Sequence, residues 1–179
     1  EVILPDPSWV SYEPIVKFAD GIVRSVPRRG DRFSLKAEDI KEQITSRTEM
    51  IILNSPCNPT GMTFDMDDMK AIRDIAVDED LLVVTDEVYE KLIYEGDHLS
   101  IAFLEGMRER TITVNGFSKA YAMTGWRLGW LACTEELLDN IVKIQPHSIT
   151  CAPAFAQKAG ERALSNKEKG QKALDHMLG

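Results

Sequence analysis

Apolar runs that stop at polar residues recur along this chain. Residues 50–53 are Met-Ile-Ile-Leu and lead into Asn54; residues 81–84 are Leu-Leu-Val-Val and lead into Thr85 and Asp86. Unbroken runs of this length fit strands covered on both faces, because a half-exposed strand would alternate apolar and polar positions. Buried strands are therefore predicted over 50–53 and 81–85. The stretches 111–114 and 128–132 predict two more, 2–4 reads as the end of another, and 21–26 alternates weakly and suits a sixth. A turn is expected over 5–8. Helical spacing fills the intervals. A short helix is predicted over 9–19. Ser34 is a candidate N-cap for a helix whose face carries Leu35, Ile40 and Ile44. Asp65 caps a helix over 65–77 with Met66, Met69, Ile72, Ile75 and Ala76 in apolar register. Further helices are predicted over 135–144 and 154–164, and an exposed one over 166–179. Helices alternating with short apolar strands define an α/β protein with a mainly parallel sheet.

The chemistry gathers where strands end. Asn54-Ser55-Pro56-Cys57-Asn58-Pro59-Thr60-Gly61 follows one apolar run, and Thr85-Asp86-Glu87-Val88-Tyr89 follows the next. After the strand at 111–114 comes Gly116-Phe117-Ser118-Lys119-Ala120-Tyr121-Ala122-Met123-Thr124-Gly125-Trp126-Arg127-Leu128-Gly129, in which Lys119 and Arg127 are the only cations. An amine becomes a nucleophile where its surroundings disfavour the ammonium form. A guanidinium offers a planar fork for phosphate. The pair suggests a lysine that joins a phosphorylated aldehyde as a Schiff base. Open α/β sheets bind ligands outside the carboxyl ends of their strands, so Asn58, Asp86, Tyr89, Lys119 and Arg127 are expected to converge on one crevice. Structural roles stand beside these: a snorkelling lysine in a buried turn, Asp86 as an N-cap, Tyr89 as a packing ring and Asn58 as ordinary turn chemistry.

Taken in order and spacing, the Asn-Pro-Thr-Gly turn, the Asp-Glu-Val-Tyr turn and the Ser-Lys…Gly-Trp-Arg-Leu-Gly segment resemble the signature of fold-type I pyridoxal-phosphate enzymes. The likeness is to class I/II aminotransferases of the aspartate aminotransferase-like group, and it covers the whole chain. It implies a three-layer αβα architecture whose mainly parallel sheet includes one antiparallel strand, placed at 128–132. It implies pyridoxal 5'-phosphate as cofactor, with Lys119 as its covalent anchor and proton carrier. Asp86 would pair with the pyridine nitrogen, and Tyr89 and Asn58 with the phenolic oxygen. Arg127 would take the phosphate, with a hydroxyl from Ser118, and Trp9 would stack on the ring. Gly116 departs from one family variant, which has a hydroxyl residue there. Cis bonds are implied before Pro7 and Pro59. Residues 1–179 would be part of the cofactor-binding large domain, lacking an amino-terminal segment with a phosphate-binding turn and a small carboxy-terminal domain with a carboxylate-binding arginine. The implied reaction moves an amino group from an amino acid, aspartate-type above others, to a 2-oxo acid, and the parent would be a homodimer. A lyase or synthase using the same cofactor, and the aminotransferase-like sensor domain of a transcription regulator, are the alternatives.

Composition narrows the field further. The chain has 179 residues, 44% of them hydrophobic, enough for one domain with a core. Its net charge of −8 argues against nonspecific binding to nucleic acid or anionic membranes. No apolar run is long enough to span a bilayer, and the opening residues have no signal-peptide pattern. Cys57, Cys133 and Cys151 lack metal-type spacing and suit a reducing, cytoplasmic compartment, with Cys57 as a small packing residue. His98, His147 and His176 are scattered, so no metal cluster is expected. Neither a Walker-type loop nor a GxGxxG fingerprint occurs, which argues against nucleotide binding. The expected partners are small-molecule amino and 2-oxo acids.

Overall fold

The computed structural model describes residues 1–166 together with 171, 172, 174, 175 and 178. Among these residues six strands form one sheet: β1 (Val2–Asp6), β2 (Val23–Pro27), β3 (Met50–Asn54), β4 (Leu82–Asp86), β5 (Thr111–Gly116) and β6 (Gly129–Ala132). Their spatial order is β2-β1-β3-β4-β5-β6. The first five are parallel, and β6 runs antiparallel to β5 at the expected place. Helices α1 (Tyr12–Phe18), α2 (Ala37–Gln43), α3 (Met66–Asp78), α4 (Glu135–Ser148) and α5 (Ala154–Ser165) complete the fold.

Both sheet faces are covered, which is why the central strands read as continuous apolar runs. On one face Ile3, Ile51, Leu53 and Val83 pack against Ile40 of α2 and Met69, Ile72 and Ile75 of α3. On the other, Leu4 and Ile52 pack against Tyr12 and Val16 of α1. Asp65 caps α3 as expected, its carboxylate accepting from the amides of Asp67 and Asp68. At the far end of α3, the Arg110 guanidinium donates to the Ala76 carbonyl at 3.3 Å and to Asp80 at 2.9 Å. Among the described residues no helix is long and apolar enough to cross a membrane.

Several boundaries differ from expectation. β1 continues through Pro5 and Asp6, where a turn was predicted. Proline is tolerated there because the ladder to β3 stops at Ile3↔Ile51, so no bond to that neighbour is lost. α1 begins only at Tyr12, after a turn in which the Tyr12 amide donates to the Trp9 carbonyl at 3.1 Å. Ser34 is not an N-cap. It closes a bridge with Arg29, and its hydroxyl donates to the Arg29 carbonyl, so α2 starts three residues later without a side-chain cap. α4 runs past Ile144 to Ser148 despite Pro146, and the Gln145 carbonyl accepts from the Ile149 amide at 3.0 Å and from the Ser148 hydroxyl at 3.1 Å at its end. The helix expected over 166–179 falls mostly outside the described residues, as does His176; of its described members, Gln171, Lys172 and Asp175 are helical and exposed, and Leu174 is buried.

Two features of the sheet position the site. Registers Asn54↔Asp86 and Asp86↔Val114 set the polar ends of β3, β4 and β5 level with one another. The sheet also grows in opposite directions from β1, and β1 and β3 pair at only two positions before parting. Such a reversal opens a crevice at the carboxyl edge, where ligands bind in open α/β sheets.

The opposite edge is tied by charge. The Glu1 carboxylate accepts from Arg24 at 2.8 Å, from Arg47 at 2.8 Å and from the Thr45 hydroxyl at 2.5 Å. The Arg24 bond, then the Thr45 bond, pull its pKa from 4.5 to about 2. A depressed carboxylate stabilises the fold above its unfolded pKa and loses that contribution as pH falls through the folded value. The stability difference between the unsubstituted protein and Glu1→Gln should therefore be full at pH 6, shrink below 4.5 and close near pH 2. Urea midpoints measured across that range test it; a difference independent of pH would refute it.

Candidate active site

The end of β3 folds over the end of β4. Asn54 is buried, and its Nδ2 donates to the Asp86 carbonyl at 3.0 Å while the Ser55 amide donates to the same oxygen at 3.1 Å. Asn54 Oδ1 in turn accepts from the Asn58 amide at 2.7 Å. The turn closes through Gly61, whose φ of +72° suits glycine, donating to the Cys57 carbonyl at 2.6 Å. Cys57 is buried beneath it, its Sγ 3.7 Å from the Pro7 carbonyl oxygen. The peptides before Pro7 and Pro59 are cis, as the resemblance implied, and so is the one before Pro56.

Asp86 ends β4 with its carboxylate held from two sides. Oδ2 accepts from the Tyr12 hydroxyl at 2.7 Å, and Oδ1 from the Val88 amide at 3.1 Å. Burial pushes the Tyr12 phenol far up, and the neighbouring Asp86 charge and hydrogen bond push it further. Tyr12 is thus a fixed donor that orients the carboxylate.

From β5 the chain passes into the lysine loop. Gly116 lies opposite Gly129 in the β5–β6 register, and the Phe117 amide donates to the Leu128 carbonyl at 3.2 Å. Within the loop the Ala122 amide donates to the Lys119 carbonyl at 3.0 Å, and Ala122 and Arg127 both have φ of +51°. Arg127 is exposed and its Nη1 donates to the Thr124 carbonyl at 2.9 Å. Lys119 Nζ stands 5.4 Å from the centroid of the Tyr89 ring, a cation–π distance. α5 braces this loop from behind: a Cβ added at Gly160 would lie 2.6 Å from Leu128 and 3.0 Å from Phe117.

All seven residues singled out in the sequence line one crevice of about 360 Å³: Trp9, Asn58, Asp86, Tyr89, Ser118, Lys119 and Arg127. Tyr12 and Asn54 line it too, and neither was foreseen. Trp9 is partly exposed and meets Tyr12 edge-on, with ring centroids 5.3 Å apart. A wider groove of about 650 Å³ runs beside α1 and β2 but holds no such convergent set. The crevice offers an amine, a carboxylate, a phenol, an amide, a guanidinium and an indole face within one small-molecule volume. Of the described histidines, His98 lies beside two carboxylates. His98 joins Glu87 and Glu90, whose ligand-type atoms lie within 4.8 Å of one another. No motif spacing announced that group, since it forms through a loop closing back on β4.

Residues 1–178 match the model of the family described as aminotransferase class I and II. The chain belongs to that family. An aspartate aminotransferase of Pyrococcus abyssi is 46% identical over 99% of this chain and 46% of its own length. An aromatic-amino-acid aminotransferase of Thermococcus litoralis is 43% identical, again over 99% of this chain and 46% of its own. The crystal structure of an aromatic aminotransferase from Pyrococcus horikoshii superposes with a TM-score of 0.95 at 46% identity, covering 99% of this chain and 48% of that one. The chain thus spans about half the length of the family relatives it matches.

The Tyr12–Asp86 bond predicts a measurable stability effect. Tyr12→Phe keeps the ring but removes a donor from a carboxylate, and bonds to charged groups are worth about 1.5–3 kcal/mol. Urea unfolding should show a loss in that range, and Tyr12→Phe with unchanged stability would mean that water replaces the hydroxyl without penalty.

Proposed function

We propose that the crevice is the cofactor and reaction site of a pyridoxal-phosphate-dependent aminotransferase. One observation carries the reading: Asn58, Asp86, Tyr89, Lys119 and Arg127, from the connections that follow three separate strands, meet in a single crevice. The donor set suits this cofactor group by group. A carboxylate fits a pyridinium N–H, a phenol and an amide fit a phenolic oxygen, a guanidinium fits a phosphate, and an indole fits an aromatic ring. Bound pyridoxal phosphate supplies an aldehyde and an electron-accepting ring that stabilises negative charge at an amino acid's α-carbon.

The chain's own residues supply the rest. Asp86, fixed by Tyr12 and Val88, has its free lone pairs available to a ring N–H and keeps a proton on that nitrogen. Tyr89 and Asn58 donate to the phenolic oxygen. Arg127 and Ser118 hold the phosphate, and Trp9 covers one face of the ring and limits access of water. The Lys119 amine would anchor the cofactor and, as a free amine, would carry the proton at the substrate α-carbon.

The substrates are an amino acid and a 2-oxo acid. An aspartate-type donor is the first reading, supported by the 46% identical aspartate aminotransferase. An aromatic donor is the second, supported by the 43% identical aromatic enzyme. Residues 1–179 are read as part of the cofactor-binding large domain, supported by the share of its relatives that the chain matches. A homodimer and a cytoplasmic location complete the proposal, the latter supported by three free thiols.

Pyridoxal phosphate added to the full-length protein should produce a visible absorption band, and borohydride should fix the cofactor to the peptide containing Lys119. Lys119→Ala should lose that label and at least about a hundredfold in amino-group transfer. Labelling elsewhere in the chain would overturn the assignment. With 2-oxoglutarate as acceptor, aspartate and phenylalanine rates separate the two donor readings. Product formed without consumption of the oxo acid would instead indicate a lyase, and ligand binding without turnover a sensor.

A further inference from the structure

We infer that Glu87, clamped by His98 and Ser100, is a positioning residue for the turn that carries Asp86 and Tyr89. The inference rests on the reading of Asp86 and Tyr89 as cofactor ligands and adds a residue that lies outside the crevice.

Glu87 follows Asp86 directly, so the pleat sends its side chain to the opposite face. It is 3% exposed and does not line the crevice. A buried carboxylate is costly unless its oxygens find donors. Here Oε1 accepts from the Ser100 hydroxyl at 2.6 Å and the Thr85 hydroxyl at 3.2 Å, and Oε2 lies 2.9 Å from His98 Nε2. Thr85 belongs to β4 itself. His98 and Ser100 come from a stretch without helix or strand that links the Tyr89 turn to a 3-10 turn at Ile101–Phe103. Both ends of the connection are thus tied to one carboxylate.

The backbone of Glu87 serves the same turn. Its amide donates to the Val114 carbonyl of β5 at 2.9 Å, and its carbonyl accepts from the Glu90 amide at 2.9 Å. Between these bonds lies Val88, whose amide orients Asp86 Oδ1. Next stands Tyr89, whose carbonyl accepts from Leu92 at 2.8 Å. With its side chain pinned behind the sheet and its main chain pinned to β5, Glu87 leaves the turn little freedom. A ligand set works only when its supporting shell holds it to a fraction of an ångström. An apolar residue at 87 would fill the core without anchoring the His98–Ser100 stretch.

Two readouts test this on the full-length protein. The first is amide hydrogen exchange without cofactor, comparing residues 86–90 with α3. The second is pyridoxal phosphate affinity from the visible absorption band. Glu87→Ala should speed exchange at 86–90 by roughly tenfold while α3 stays unchanged. It should also weaken cofactor binding by roughly tenfold, the scale on which outer-shell partners act. Glu87→Gln should stay within about twofold of the unsubstituted protein, because its carbonyl still accepts from Ser100 and Thr85 and its amide faces His98 Nε2, a ring nitrogen that accepts in one of the two tautomers. His98→Ala removes one tie and should fall between them, and it carries the test should Glu87→Ala fail to fold. Exchange that rises equally in α3 would show a general stabilising role and overturn the inference. So would unchanged exchange and affinity in both Glu87→Ala and His98→Ala. If the unsubstituted protein takes up no cofactor, the functional reading falls and this inference with it; if it binds and the variants bind equally well, only this inference falls.

Discussion

Everything at the carboxyl edge of the sheet depends on the way Asp86 is held. Its side chain is bound by Tyr12 and Val88, and its carbonyl by Asn54 and Ser55. Tyr12 lies beyond β1, and Asn54 and Ser55 sit at the end of β3. One residue thereby fixes three connections against each other. A carboxylate takes a fixed direction only from the donors that hold it, so the bonds that orient Asp86 also dictate where its neighbours stand.

The sheet turns this local constraint into a site. Level strand ends bring polar residues that are far apart in sequence to the same height, and the parting of β1 from β3 leaves room between them. The loops that carry the ligands are not loose. The Asn58 turn is bonded to Asn54, and the lysine loop is closed by Phe117 and Leu128 and backed by Gly160 of α5. Side chains held in this way meet a ligand with little reorganisation.

Much of this was legible before any coordinates, for a physical reason. The strands are covered on both faces, so their sequences are apolar without alternation, and the abrupt change to polar residues marks the edge at which the crevice opens. Asn58, Asp86, Tyr89 and Lys119 each follow such a change. Tyr12 and Asn54 were missed because their roles exist only in tertiary pairing, 74 and 32 positions from Asp86. Glu87, His98 and Ser100 were missed likewise, since the loop that joins them has no periodicity to read. Ser34 misled in the other direction: a serine ahead of a helical pattern signals a cap, but its hydroxyl was already committed to the Arg29 turn.

The left-handed backbone at Ala122 and Arg127 bears on how this chain can change. An L-residue with a side chain pays about 1 kcal/mol or more to adopt that conformation, and glycine does not. Selection for thermostability alone would therefore drift both positions of the lysine loop toward glycine. At 122 little would be lost. At 127 the same drift would delete the guanidinium from the crevice, so the most stable version of this loop is not the one that brings that group to the strand ends.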